Sequence, residues 1–157
     1  MQRLIRHLAP VTCLAAALLG TSAIAQSEAP PETTPLSAYE LLLLYGGKTW
    51  MWSTGGGYLD KDRGFVGWVE SDGVRTDAAG QWRITDNGRL CIEARWGTGP
   101  EGDANTCFLH VQSADGTIHQ RSLPDGDWYV FKHATPEDTD EYLKLVPGNQ
   151  VPATTAN

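Results

Sequence analysis

Basic residues and cysteine are both scarce in this chain, and each scarcity excludes something. Lys and Arg total 12 against 19 Asp and Glu, a formal net charge of −7. A chain of that sign repels phosphate backbones and anionic lipid surfaces, which disfavours nucleic-acid and membrane-surface partners and leaves solubility as the plain meaning of the charge. None of the 3 cysteines stands in a C-x-x-C pair, and no H-x-H or H-E-x-x-H occurs, so no metal site and no cofactor is expected. No G-x-S-x-G marks a serine hydrolase. No uninterrupted apolar run reaches the roughly 18–20 residues of a membrane span.

What the N-terminus does have is a basic start (Arg3, Arg6), a short apolar run from Leu8 to Leu19, and a small-x-small end at Ala23-Ile24-Ala25. Those three features in that order describe a signal peptide over residues 1–25, cleaved after Ala25. Lipidation at Cys13 is the weaker reading, because Pro10-Val11-Thr12 does not match the Leu-small-small that precedes a lipidated cysteine. Removing 25 of 157 residues leaves 132, with ten basic against 19 acidic side chains and a net charge of −9. That is one domain in a periplasmic or secreted protein, with no membrane anchor after cleavage. Cys91 and Cys107 remain, and two cysteines in an oxidising compartment predict one disulfide.

The mature chain opens on "QSEAPPETTP", which carries three prolines and nothing to bury, so residues 26–36 are expected to form a flexible leader. Ser37 and Glu40 are spaced as a capping box, four leucines follow, and Gly46-Gly47 is a stop. A short helix over about 38–45 is predicted. Beyond it lie short β-prone segments separated by turn residues: 49–53, 57–59, 65–70, 81–85, 90–96, 106–111, 117–123, 128–133 and 142–146. The expected fold class is mainly β, a small antiparallel meander or barrel-like (calycin-like) domain over 37–148 with one N-terminal helix, followed by a disordered tail over 149–157.

Two hairpins allow register arguments. A three-residue loop, Asp86-Asn87-Gly88, pairs Ile84 with Leu90 and places Trp82, Ile84, Leu90 and Ile92 on one apolar face, with Gly88 at positive φ. Setting Cys91 opposite Cys107 brings Phe108 opposite Leu90 on that same face, with Glu93 opposite Asn105 and Arg95 opposite Asp103. Leu109 and Val111 then fall on the other face and need cover, for which the helix is the candidate.

The possible sites are few. "YGGKT" resembles the end of a phosphate loop, but a P-loop lies between a strand and a helix, and here a helix precedes and a strand follows. "TGGGY" reads as a turn that needs backbone freedom. A two-residue turn at Asp115-Gly116 would pair His110 with Arg121 and Gln112 with His119, gathering a polar face from His110, His119 and Arg121. That face serves a binding patch or, as the alternative, a hydrolytic or metal-dependent enzyme; surface or barrel-lining polar residues are the plainer reading. His133 comes from another strand, and no pair of carboxylates has a defensible glycosidase spacing. The 6 tryptophans are the unusual feature. Trp50 and Trp52 share a face, which either packs away or lines a ligand space.

The runs "LLLLYGGKTWMWSTGGGYLDKDRGFVGW", "AGQWRITDNGRLCIEARW", "CFLHVQSADGTIHQR" and "DWYVFK" carry a family pattern. In order it is a short helix, Gly47–Trp50, a glycine-aromatic stretch at Gly55–Tyr58, Gly80–Trp82, Gly88–Cys91 and Cys107–Phe108. The pattern resembles the bacterial family called domain of unknown function 995 and covers about Ser37 to Gly148. The resemblance implies a small exported proteobacterial protein and supplies no catalytic residues. Likeness to lipocalin barrels is weaker, since Gly47–Trp50 is Gly-x-x-Trp rather than Gly-x-Trp. The expected function is non-enzymatic binding of a small ligand or glycan through Trp50, Trp52, His110, His119 and Arg121, by a monomer in the envelope. Docking onto another envelope protein is a third reading.

Overall fold

The computed structural model describes residues 29–99 and 102–153. The expected signal peptide, the start of the leader and residues 154–157 lie outside the described residues. Among the described residues ten strands form one antiparallel sheet: β1 (Thr33–Pro35), β2 (Lys48–Trp52), β3 (Gly55–Leu59), β4 (Gly64–Ser71), β5 (Val74–Ile84), β6 (Arg89–Trp96), β7 (Asp103–Ser113), β8 (Ile118–Ser122), β9 (Tyr129–Lys132) and β10 (Leu145–Pro147). The order is β10-β2-β3-β4-β5-β6-β7-β8-β9, with β1 added to β7. The sheet curls into a half-barrel, with β9 and β10 as the ends of the meander. A 3-10 turn, Glu141–Lys144, packs against both β9 and β2 and lies in the gap between them.

Helix α1 (Ala38–Tyr45) forms for the reasons its sequence announces. The Glu40 amide donates to Ser37 Oγ, and the Ser37 amide donates to Glu40 Oε2 at 2.8 Å. A third donor at this end, the Ala38 amide, reaches Asp86 Oδ1 at 3.0 Å, so the hairpin turn helps to cap the helix. At the other end Lys48 Nζ donates to the carbonyls of Leu43 and Leu44, at 3.2 and 2.7 Å. The lysine of "GGKT" therefore meets the negative end of a helix dipole. The helix lies in the concavity, burying Leu41, Leu44 and Tyr45. Tyr45 packs on Trp50, His110 and Phe131. It does not cover Leu109 and Val111, which point to the outer face; the helix's apolar side matches the concave core instead.

Both register predictions hold. Ile84 pairs with Leu90 and Trp82 with Ile92, the Thr85 amide closes the loop on the Arg89 carbonyl at 3.0 Å, and Gly88 has φ +76°. Cys91 pairs with Cys107 and Leu90 with Phe108, and the two sulfurs are bonded. The disulfide spans a sequence separation of 16. Its reduction is expected to cost about 3 kcal/mol of stability, the scale for a loop near 15 residues. Urea denaturation with and without reductant measures the shift in midpoint.

Several segments differ from expectation. The strand expected over 142–146 is the 3-10 turn Glu141–Lys144 followed by the short β10, and β5 begins at Val74 rather than near 81. Thr33–Pro35 falls within the expected leader but forms β1, paired as Thr33↔Ser113 and Pro35↔Val111. Pairing of β6 with β7 stops at Leu109, which leaves an edge for β1 to fill, and buried Leu36 anchors it with a 3.2 Å bond from its amide to the His110 carbonyl. Residues 149–153 fall within the expected disordered tail, yet the Gln150 amide donates to buried Thr49 Oγ1 at 3.0 Å and Arg75 donates to the Pro152 carbonyl at 2.7 Å. Gly55-Gly56-Gly57 is strand rather than turn. A Cβ on Gly57 would come within 2.5 Å of the Phe65 ring, and one on Gly55 within 2.0 Å of the Trp68 carbonyl oxygen. The triplet thus gives room for aromatic rings and close strand approach on a curled sheet.

Candidate functional site

Alternation along the strands divides the sheet into two faces. The concave face receives Trp82, Leu90, Phe131, Leu59 and Phe65, all buried, together with Trp50. Toward one end the core opens into a cavity of about 220 Å³. Trp50, Trp52, Phe65, Trp96 and Phe108 contribute their rings to its wall. Ala94 and Ala104 are paired across β6 and β7 and contribute only methyl groups, so space remains between the rings. Trp50 packs on Phe108 with centroids 5.1 Å apart. Its indole Nε1 donates to Glu141 Oε1 at 3.0 Å, which brings a carboxylate from the 3-10 turn to the cavity wall. The other Glu141 oxygen accepts from Lys144 Nζ at 2.6 Å.

A polar chain also enters the core, fully buried at Gln120, Tyr45 and His110 and reaching the surface at Tyr129. The Tyr129 hydroxyl donates to Gln120 Oε1, and Gln120 Nε2 donates to the Tyr45 hydroxyl at 2.8 Å. The Tyr45 hydroxyl lies 2.8 Å from His110 Nε2, and His110 Nδ1 lies 3.1 Å from the Gly88 carbonyl. One proton arrangement satisfies the chain: Nδ1–H donates to Gly88 and Nε2 accepts from Tyr45, the neutral imidazole. Burial pushes the His110 pKa from 6.5 down to about 4, against the raising effect of the Gly88 bond. The unfolded chain therefore takes up a proton that the folded one resists. Stability tied to His110 is complete above pH 6.5 and is lost as pH falls toward 4. The full difference is about 3 kcal/mol. Urea titrations from pH 7 to 4 are expected to show this loss, and His110→Asn to flatten it. His133 works in the opposite sense: its hydrogen bond to Asp140, 2.6 Å from Nδ1, raises its pKa.

The sequence-predicted residues separate. Trp50 and Trp52 do share the concave face and line the cavity. His110, His119 and Arg121 do not form one face. His110 pairs with Gln120, and Val111 with His119, one residue away from the expected register. The loop is Ala114-Asp115-Gly116 rather than Asp115-Gly116: the Ser113 amide bonds the Thr117 carbonyl at 2.9 Å, and Gly116 has φ +94°. Asp115 stabilises it by accepting from the Thr117 amide and hydroxyl, at 2.9 and 3.0 Å. A one-residue slip exchanges the faces of a strand. His110 stays on the concave face with Phe108, as strand parity requires, while the slip carries His119 and Arg121 to the outer side, where His119 lies 3.0 Å from Ser113 Oγ and Arg121 sits over Trp128. Among the described residues no cluster of three or more His, Cys, Asp or Glu is arranged to hold a metal.

Sequence reasoning missed Trp96, Phe65, Thr106 and Glu141 as cavity residues. Trp96 follows from Ile92 by strand parity, and Thr106 from Phe108, so both signals were present. Glu141 carried none, because a 3-10 turn rather than a strand delivers it.

Comparison with known proteins then places the chain. The family model described as "Protein of unknown function (DUF995)" matches residues 11–151. The chain belongs to the DUF995 family. No curated protein and no solved structure matches it. The residues that carried the resemblance now have positions: Lys48 caps α1, Thr49 Oγ1 donates to the Gly148 carbonyl at 2.7 Å, and Trp50 walls the cavity. Gly88–Cys91 forms the loop exit and the first half of the disulfide, and Cys107–Phe108 supplies the second half and a cavity ring.

Proposed function

We propose that this DUF995 protein is an exported, non-enzymatic binding protein of the envelope that takes a small apolar ligand in its concave aromatic cavity. The observation that carries the reading is the cavity of about 220 Å³ left among Trp50, Trp52, Trp96 and Phe108 on a face that otherwise packs closely. Concave, mostly apolar spaces with one placed polar group are the usual form of small-molecule sites. Export rests on the basic-apolar-small N-terminus and agrees with a disulfide. The hydrolytic alternative loses its basis, since His110 lies on the opposite face from His119 and Arg121.

Titration with an environment-sensitive apolar dye tests the reading through tryptophan quenching and dye emission. Saturable binding is expected. Ala104→Trp fills the space from an exposed position, so it should weaken binding at least about tenfold while leaving the melting temperature close to wild type. Equal dye binding by both proteins would sink the proposal.

A further inference from the structure

We propose that the ligand of this cavity is an organic cation, such as a quaternary or alkylated ammonium group carried on a short apolar or aromatic body. The inference rests on the binding reading above and names the chemistry of that site. Three indoles and two phenyl rings line the wall, and ring faces attract cations through their negative quadrupole. Among the described residues that line the space, Glu141 is the single ionisable one, and no Lys or Arg is among them. Its side chain is only 24% exposed, so its charge acts through a poorly solvated wall. The Trp50 indole holds Oε1 in place at 3.0 Å, which fixes the carboxylate beside the rings.

Lys144 already supplies a positive group to Oε2 at 2.6 Å, but its side chain is 52% exposed and lies one turn along the same 3-10 segment. An exposed pair of this kind contributes little and is readily exchanged. Lys144 thus serves as a displaceable counter-ion that a better-desolvated cation replaces. An anionic ligand would meet the Glu141 charge at short range, and a neutral one would leave it unused. The chain's net charge of −7 favours approach of a cation from solution.

Benzyltrimethylammonium and neopentylbenzene have the same shape and differ in charge, and 4-tert-butylbenzoate adds the opposite sign. Calorimetric titration of the three into the full mature protein is expected to rank the cation at least about tenfold tighter than the neutral isostere, with the anion weakest. Glu141→Gln keeps an acceptor for the Trp50 indole and is expected to abolish the cation's advantage. Lys144→Ala removes the competing ammonium and is expected to tighten the cation severalfold without moving the isostere. Equal affinity for cation and isostere overturns the proposal, as does a Lys144→Ala variant that affects both alike; in either case the apolar cavity reading stands. Absence of cation binding also overturns it. If the apolar dye then fails to bind as well, the cavity reading falls with it. Should Glu141→Gln fail to fold by near-ultraviolet circular dichroism, the cation–isostere pair and Lys144→Ala still decide.

Discussion

Trp82→Ala is expected to cost about 3–5 kcal/mol, the range for removing a large aromatic from a closed core. Trp82 is fully buried where β5 pairs with β6, opposite Ile92. Three interactions leave with the ring. Its indole Nε1 donates to the Asp60 carbonyl at 2.7 Å, which ties down the turn between β3 and β4. The Arg63 guanidinium stacks over its face at 4.5 Å. Its body fills the core under α1, where a cavity cannot collapse without moving the helix. Trp82→Phe keeps most of the volume and loses the hydrogen bond, so it should fall well short of the alanine cost. Equilibrium urea unfolding measures both variants, and an alanine cost below about 1.5 kcal/mol would contradict the packing described.

Gly88→Val is expected to cost more than about 4 kcal/mol, in the range reserved for gross local conflict. Two independent terms act at this residue. Its φ of +76° is a conformation that a β-branched residue essentially never adopts. A Cβ would also stand 2.1 Å from the His110 carbonyl oxygen, which is backbone and cannot swing aside. The Gly88 carbonyl accepts from the His110 amide at 2.8 Å and faces the imidazole at 3.1 Å, so displacing the loop disturbs the buried polar chain as well as the hairpin. Gly73 isolates the first term. It has φ +74°, and a methyl group there would meet nothing within 4 Å, so Gly73→Ala should cost only about 1–2 kcal/mol. Similar losses at the two glycines would show that the close approach to His110 does not matter.

The candidate site was half legible. Trp50 and Trp52 could be placed on one face because strand periodicity alone decides that, whatever the strand pairs with. The face shared by Trp82, Leu90 and Phe108 was legible because the Asn-Gly loop and the cysteine pair each fixed a register independently. His119 and Arg121 were placed wrongly because the register of β8 depended on loop length, and Asp115-Gly116 fits a two-residue or a three-residue loop equally well by composition. The choice is made by tertiary context: the three-residue loop brings Gln120 inward beside His110 and Tyr45. The glycine triplet misled for a related reason. Glycine marks both positive φ and crowded space, and only the neighbouring Phe65 and Trp68 show that space is the cause here.

By itself the sequence determined the class of the protein: a mainly β domain, its capped helix from Ser37 and Glu40, the Asp86–Gly88 loop, the Cys91–Cys107 pairing and the apolar face between them. These follow from local spacing and alternation, which act over a few residues. Tertiary structure alone decided where the helix lies, that Gln120 rather than Arg121 meets His110, that Glu141 reaches Trp50, and that a space remains among the rings. Each of those depends on how far the sheet curls and on which distant segments meet across it. Curvature is set by packing between residues far apart in the chain, and no local pattern encodes it.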